Sequence, residues 1–176
     1  LMYPETVQAF CENGAGNTQA EIFADLAHHA TAAATQAALM KILRKAKGKL
    51  ALLAALADIS GEWSLFQVTA ALSHLADAAI DEAAVFLLRD ALRRGEISGL
   101  DSANPVKDSG IIVLGMGKLG AFELNYSSDI DLIILYERNR FEYRGRATAQ
   151  HFYTKFAHDL VTMPRLGTPS VSADGK

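Results

Sequence analysis

Apolar positions in the first 95 residues recur at helical intervals, and after Gly110 they gather into unbroken β-branched runs. Between residues 36 and 59, Leu39, Ile42, Leu43, Leu50, Leu53, Leu56 and Ile59 recur at spacings of three, four and seven, which gives a helix one apolar side. Gly48 interrupts that pattern and predicts a break or bend, since an interior glycine costs a helix about 1 kcal/mol. Residues 18–35 read as an earlier, alanine-rich helix capped at Asn17 or Thr18. Ser64 with Gln67 three residues on is a capping box and opens a long helix. On that helix Leu65, Val68, Leu72, Leu75, Ala79 and Phe86 form one stripe, and Ile80, Ala84, Leu87, Leu88 and Ala91 form another. Two stripes require partners on both sides. Arg89, Arg93 and Arg94 suit the negative end of the helix dipole, and Gly95 is a natural stop. The pattern predicts a helical bundle with no strand in residues 1–95.

Residues 96–109, with Gly99, Ser102, Asn104 and Pro105, read as a polar linker. Beyond them, Ile111-Ile112-Val113-Leu114 and Asp131-Leu132-Ile133-Ile134-Leu135-Tyr136 have the composition of buried strands, so strands are expected only after Gly110. Residues 148–163 return to helix, with Phe152, Phe156, Leu160 and Val161 on one face and Pro164 as its stop. His151 and His158, two turns apart there, read as surface residues because no third metal ligand accompanies them. The succession makes an α+β protein.

Composition narrows the function. Residues 1–100 hold 24 of the 30 alanines, which marks the same change of architecture near residue 100. Lys+Arg is 17 and Asp+Glu is 20, a net charge of −3 that argues against a general nucleic-acid binder. The run Lys41, Arg44, Lys45, Lys47 and Lys49 reads as a solvated face. A single cysteine, Cys11, excludes a disulfide scaffold and a multi-cysteine zinc site. No apolar run approaches the roughly 18 residues of a membrane span, and Leu1-Met2-Tyr3-Pro4 does not open a signal peptide. The expected location is the cytoplasm, with no membrane or nucleic-acid partner. Leu1 and the loop-like Ser170–Lys176 read as the ends of a piece of a longer chain.

The chemistry lies between Gly110 and Glu137. Gly115-x-Gly117-x-x-Gly120 after a strand, with Glu137 about 20 residues beyond, fits a Rossmann dinucleotide fingerprint and an NAD-dependent oxidoreductase. That reading leaves Asn125-Tyr126-Ser127-Ser128 as a poor crossover helix and gives Ser128, Asp129 and Asp131 no task. A P-loop fits less well, because Leu119 follows Gly117-Lys118. The other reading starts from Asp129 and Asp131, which point to one side of an extended chain. Their mutual repulsion is relieved by a cation, and a pair of carboxylates suits Mg²⁺. The glycine turn then offers backbone N–H groups and Lys118 to a phosphate chain.

Gly115-Met116-Gly117-Lys118-Leu119-Gly120, Glu123-Leu124-Asn125 and Ser127-Ser128-Asp129-Ile130-Asp131-Leu132 resemble the nucleotidyltransferase superfamily of DNA polymerase β, and within it glutamine synthetase adenylyltransferase. The likeness is dense over residues 110–137 and looser over 50–95. It implies a helical bundle region at 1–98, then a nucleotidyltransferase core at 99–176, truncated at its C-terminal end, with a mixed sheet and flanking helices. The family has one half that adds AMP to a tyrosine of glutamine synthetase and another that removes it. Asn125-Tyr126-Ser127-Ser128-Asp129-Ile130-Asp131 resembles the removing half, in which inorganic phosphate displaces the tyrosine and ADP forms. The resemblance implies Asp129 and Asp131 as catalytic and Mg²⁺-binding residues. It implies Gly115, Gly117 and Lys118 for the phosphates of ATP or ADP, Ser128 for a phosphate oxygen or the strand start, and Glu123 in support. Implied partners are glutamine synthetase and a PII-type signalling protein. The adding half and a non-catalytic module that binds either partner remain open here. A third carboxylate, carried in the superfamily by a neighbouring strand, is missing from the sequence: Glu137, Asp159 and Asp174 all lie in unsuitable settings. Little activity is therefore expected of the chain alone.

Overall fold

The computed structural model describes residues 2–163. Helix α1 (Pro4–Thr31) starts on a proline, whose fixed φ suits a first turn. It consists of two segments joined at Gly14, with φ 77° and ψ 171°. Glycine takes that conformation without strain, so the second segment starts there. The Ala15 amide at that start, which has no partner within the helix, donates to Glu62 Oε1 at 2.6 Å. The expected caps, Asn17 and Thr18, therefore lie inside the helix and bond back to Asn13 and Gly14 carbonyls. Glu62→Ala is expected to cost about 1 kcal/mol, as loss of a cap does, read as a lower urea midpoint with an unchanged slope.

Helix α2 (Gln36–Ile59) has the predicted bounds, with Thr35 Oγ1 accepting from the Ala38 amide. Leu39, Leu43, Leu50 and Leu53 are buried, but Ile59 is exposed because the stripe runs past the end of the bundle. No break occurs at Gly48. The ring of Tyr3 lies where a Cβ on Gly48 would stand, so the glycine admits the start of α1 rather than bending α2. The cationic run is not a uniform solvated face. Lys41, Arg44 and Lys45 are exposed, but Lys49 reaches Asp25 at 3.4 Å and Glu5 at 3.8 Å and ties α2 to α1. Burial also lowers the Lys47 pKa.

Helix α3 (Leu65–Arg93) carries the capping box in full, ends at Arg94 and turns at Gly95 with φ 69°. Both of its sides are used: α1 and α2 pack on one, and α5 (Ala149–Thr162) on the other. Ala76, Ala79, Ala83, Ala84, Leu88 and Ala91 are nearly inaccessible, so the small side chains let neighbouring backbones approach closely.

The segment after α3 is more ordered than a linker. Strand β1 (Ile97–Ser98) pairs antiparallel with β4 (Glu142–Tyr143), and Pro105 and Ser109 are buried. This strand contradicts the expectation of strands only after Gly110. Two residues are too few to leave a periodic signal, and the pairing is supplied by a distant segment. Strands β2 (Ile111–Gly115) and β3 (Leu132–Tyr136) also pair antiparallel, from Ile111 opposite Tyr136 to Gly115 opposite Leu132. Between them lies only a four-residue helix, α4 (Gly117–Gly120), and a series of turns. A dinucleotide fold needs a crossover helix between parallel strands, so this geometry excludes it.

One face of the β2–β3 pair, with Ile111, Val113, Leu132 and Ile134, packs against the core. Tyr136 at the end of β3 stacks on Tyr153 of α5, with ring centroids 3.8 Å apart. The other face, with Ile112, Leu114, Ile133 and Leu135, is open. Helix α5 buries Phe152, Phe156 and Leu160 as predicted, and His151 and His158 are exposed. Its predicted stop, Pro164, and the segment Ser170–Lys176 lie outside the described residues. No helix among the described residues is long and apolar enough to cross a membrane.

Candidate functional site

The alternation of β3 continues backwards past its first residue. Ile130 and Leu132 are half-buried, whereas Asp129 and Asp131 are exposed on the side of Ile133 and Leu135. The two carboxylates thus share one side of the chain, at the end of the open sheet face. The regular strand starts at Leu132, one residue later than the sequence pattern suggests. Asp131 is nevertheless held as a strand residue would be, because its carbonyl accepts from the Met116 amide at 2.9 Å. That bond brings the acidic pair against the glycine turn.

Each glycine of the turn has its own reason. Gly117 has φ 53° and lies under the Asp131 carboxylate: a Cβ there would stand 3.5 Å from Oδ2. A Cβ on Gly115 would press on Leu119, the buried anchor of α4. A Cβ on Gly120 would stand 2.5 Å from the Gly115 carbonyl oxygen. The turn can close this tightly only without side chains at these positions. Lys118 is exposed on α4, and its carbonyl accepts from the Glu123 amide at 2.8 Å. The Glu123 side chain is also exposed.

Ser128 braces the approach to β3. Its hydroxyl donates to Asn125 Oδ1 at 2.7 Å and accepts from the Asn125 amide at 3.1 Å. Asn125 Oδ1 also accepts from the Ser127 amide at 3.1 Å. A hydroxyl has one proton, and that of Ser128 is spent on Asn125. These bonds tie Ser128 to Asn125 in the loop that leads into β3.

The loop that carries these residues rests on the helices. Leu124 is buried, and its amide donates to Ser73 Oγ, in the middle of α3, at 3.2 Å. Ser73 in turn donates to the Thr69 carbonyl at 2.9 Å. Phe122, at φ 57°, places its ring 5.3 Å from that of His74. Burial and the nearby Asp58 carboxylate raise the pKa of Tyr126. Burial also raises the carboxyl of Asp77, against the effect of His74, and those of Asp81 and Glu82. Sequence reasoning missed Ser73. The available signal was a fully polar atom within the apolar stripes of α3. Ser73→Ala is expected to cost about 1–3 kcal/mol, because the Leu124 amide loses its acceptor in a buried setting. Faster hydrogen exchange at Leu124 would accompany the lower urea midpoint.

The donor set suits a hard divalent cation. Asp129 and Asp131 offer oxygen only, are accessible, and enter no ion pair among the described residues. No cluster of three His, Cys, Asp or Glu side chains forms there among the described residues. Asp174, in the tail, lies outside them.

Residues 2–173 match the family described as glutamate-ammonia ligase adenylyltransferase. The chain is 44% identical over 145 residues to a protein of Xanthobacter autotrophicus named bifunctional glutamine synthetase adenylyltransferase/adenylyl-removing enzyme, covering 82% of this chain and 14% of that protein. A protein of the same name from a Bradyrhizobium species is 41% identical over 145 residues, 82% of this chain and 13% of its own length. Another, from Rhodopseudomonas palustris, is 50% identical over 114 residues, 64% of this chain and 12% of its own. The chain thus spans about a seventh of the length of these relatives.

Proposed function

We propose, from the premise that the chain belongs to the glutamate-ammonia ligase adenylyltransferase family, that it carries the metal-binding and phosphate-binding part of an adenylyl-removing nucleotidyltransferase. The observation that carries the reading is the placement of Asp131 on Gly117, fixed by the Met116 amide, with Asp129 on the same side of the chain. The form Asn125-Tyr126-Ser127-Ser128-Asp129-Ile130-Asp131 supports the removing half over the adding half.

The substrate is adenylyl-tyrosine on glutamine synthetase. Inorganic phosphate attacks the AMP phosphorus, a new P–O bond forms, and the bond to the tyrosine oxygen breaks. ADP and the free phenol result, the phenolic oxygen taking up one proton. Mg²⁺ held by Asp129 and Asp131 would supply neutralisation of the phosphate charge. The chain's own residues position: the glycine turn brings its backbone close to phosphate oxygens, and Lys118 adds a mobile cation beside them. Ser128 and Asn125 keep the acidic pair in place. Regulation of nitrogen assimilation in a bacterial cytoplasm, with a PII-type protein as effector, belongs to the same reading.

The test supplies adenylylated glutamine synthetase and phosphate on one side, and unmodified glutamine synthetase and ATP on the other. Both reactions are run with this chain and with a polypeptide extended by roughly 30 residues, room for one strand and its turns. The extension is expected to introduce the third carboxylate and to raise the rate about 100-fold, the scale of effect that alignment of reacting groups has. ADP release from the first mixture supports removal. Incorporation of AMP from the second would assign the adding reaction instead.

A further inference from the structure

A cleft that shares no lining residue with the acidic pair lies beside the loop between β4 and α5. The segment from Arg138 to Arg146 holds four arginines, and the structure folds two of them, Arg144 and Arg146, over a cleft of about 450 Å³. Its charged lining is Arg94, Glu96, Arg144, Arg146 and Lys155, with His151 beside them. That volume is in the range of small-ligand sites.

The cleft is built rather than incidental. Arg94 holds Glu96 through two bonds of 3.1 Å each and also pairs with Asp90. The Arg144 amide donates to the Glu96 carbonyl at 2.8 Å, which ties the loop to the end of α3. Arg144 pairs with Glu142 at 2.7 Å, and Lys155 with Asp159. The Tyr143 ring lies where a Cβ on Gly145 would stand. Arg146 is exposed and enters no ion pair or hydrogen bond among the described residues. Arg94, Arg144 and Lys155 are each paired with a carboxylate, and the Arg146 guanidinium is left for a ligand.

We propose that this cleft binds a small phosphate-bearing molecule, with the Arg146 guanidinium as its principal contact. Guanidinium groups match the geometry of phosphate oxygens and bind them as forks. Tyr143 and Phe152, which also line the cleft, offer apolar surface to the remainder of the ligand. None of the residues lining this cleft belongs to the proposed reaction site.

Inorganic pyrophosphate is the probe, titrated into the chain in EDTA and followed by amide chemical shifts. EDTA removes the metal-dependent mode at the acidic pair, and shifts at residues 115–120 report any binding at the glycine turn separately. The expected result is saturable shifts at residues 143–151 and at least a tenfold loss of affinity in Arg146→Gln, the effect of losing one charge-assisted contact. The proposal is overturned by an absence of saturable shifts at these residues, or by equal affinity in Arg146→Gln. Arg146 is exposed, so that variant is expected to fold.

Discussion

Asp129→Asn together with Asp131→Asn is expected to lower Mn²⁺ affinity at least ~100-fold, with thermal stability unchanged or slightly raised. Both side chains are exposed, so neither substitution opens a cavity or strands a buried group. Both stand exposed just ahead of β3, where a bound cation would offset the charge of both. An amide oxygen is still a ligand but lacks the charge, and two charges removed from a dication site account for several kcal/mol even at a surface. Each single variant is expected to retain part of the affinity. Calorimetric titration reads the affinity and a thermal melt reads the fold. Native-like affinity in the double variant would place the metal elsewhere.

Gly120→Ala is expected to destabilise the chain by about 1–3 kcal/mol and to weaken Mn²⁺ binding as well. The added methyl meets the Gly115 carbonyl oxygen, a backbone atom that no rotamer change can move. Displacing Gly115 disturbs the adjacent Met116 amide, and with it the bond that holds Asp131. The comparison is Gly16→Ala, which has open space around its Cβ inside α1. There alanine is expected to stabilise by up to about 1 kcal/mol. Urea titrations of both variants, with Mn²⁺ titrations in parallel, separate the two effects. A Gly120→Ala protein with native stability and native affinity would show that the close approach has no bearing on the site.

Helices were legible in the sequence where one strong local signal governed them. The Ser64–Gln67 capping box and the regular stripes of α2 and α3 are properties of a few neighbouring residues, and the structure has them as read. The failures came from partners distant in the chain. Gly48 looks like a helix break because the sequence does not show Tyr3 beside it. Asn17 and Thr18 look like caps because Glu62, the group that does the capping, is 47 positions away from the amide it meets. Strand β1 is defined only by pairing with Glu142–Tyr143.

The site shows the same division. Asp129 and Asp131 were placed on one side by the two-residue period of an extended chain, and the burial alternation bears that out although the regular strand begins later. The poor fit of a dinucleotide crossover was also readable, because Asn125–Ser128 is a weak helix former; the antiparallel pairing of β2 and β3 was not. What could not be read was the support. Ser128 is occupied by Asn125, and Leu124 hangs on Ser73, a contact between α3 and the loop that only the folded chain creates.

The central claim, that Asp129 and Asp131 together hold a divalent cation beside the glycine turn, is tested most directly by adding substoichiometric Mn²⁺ to isotope-labelled chain and mapping paramagnetic broadening. Amides of residues 115–120 and 129–131 are expected to broaden first, and excess Mg²⁺ to restore them. Broadening centred instead on the α3 acids Asp77, Asp81 and Glu82, or spread evenly over exposed carboxylates, would contradict it.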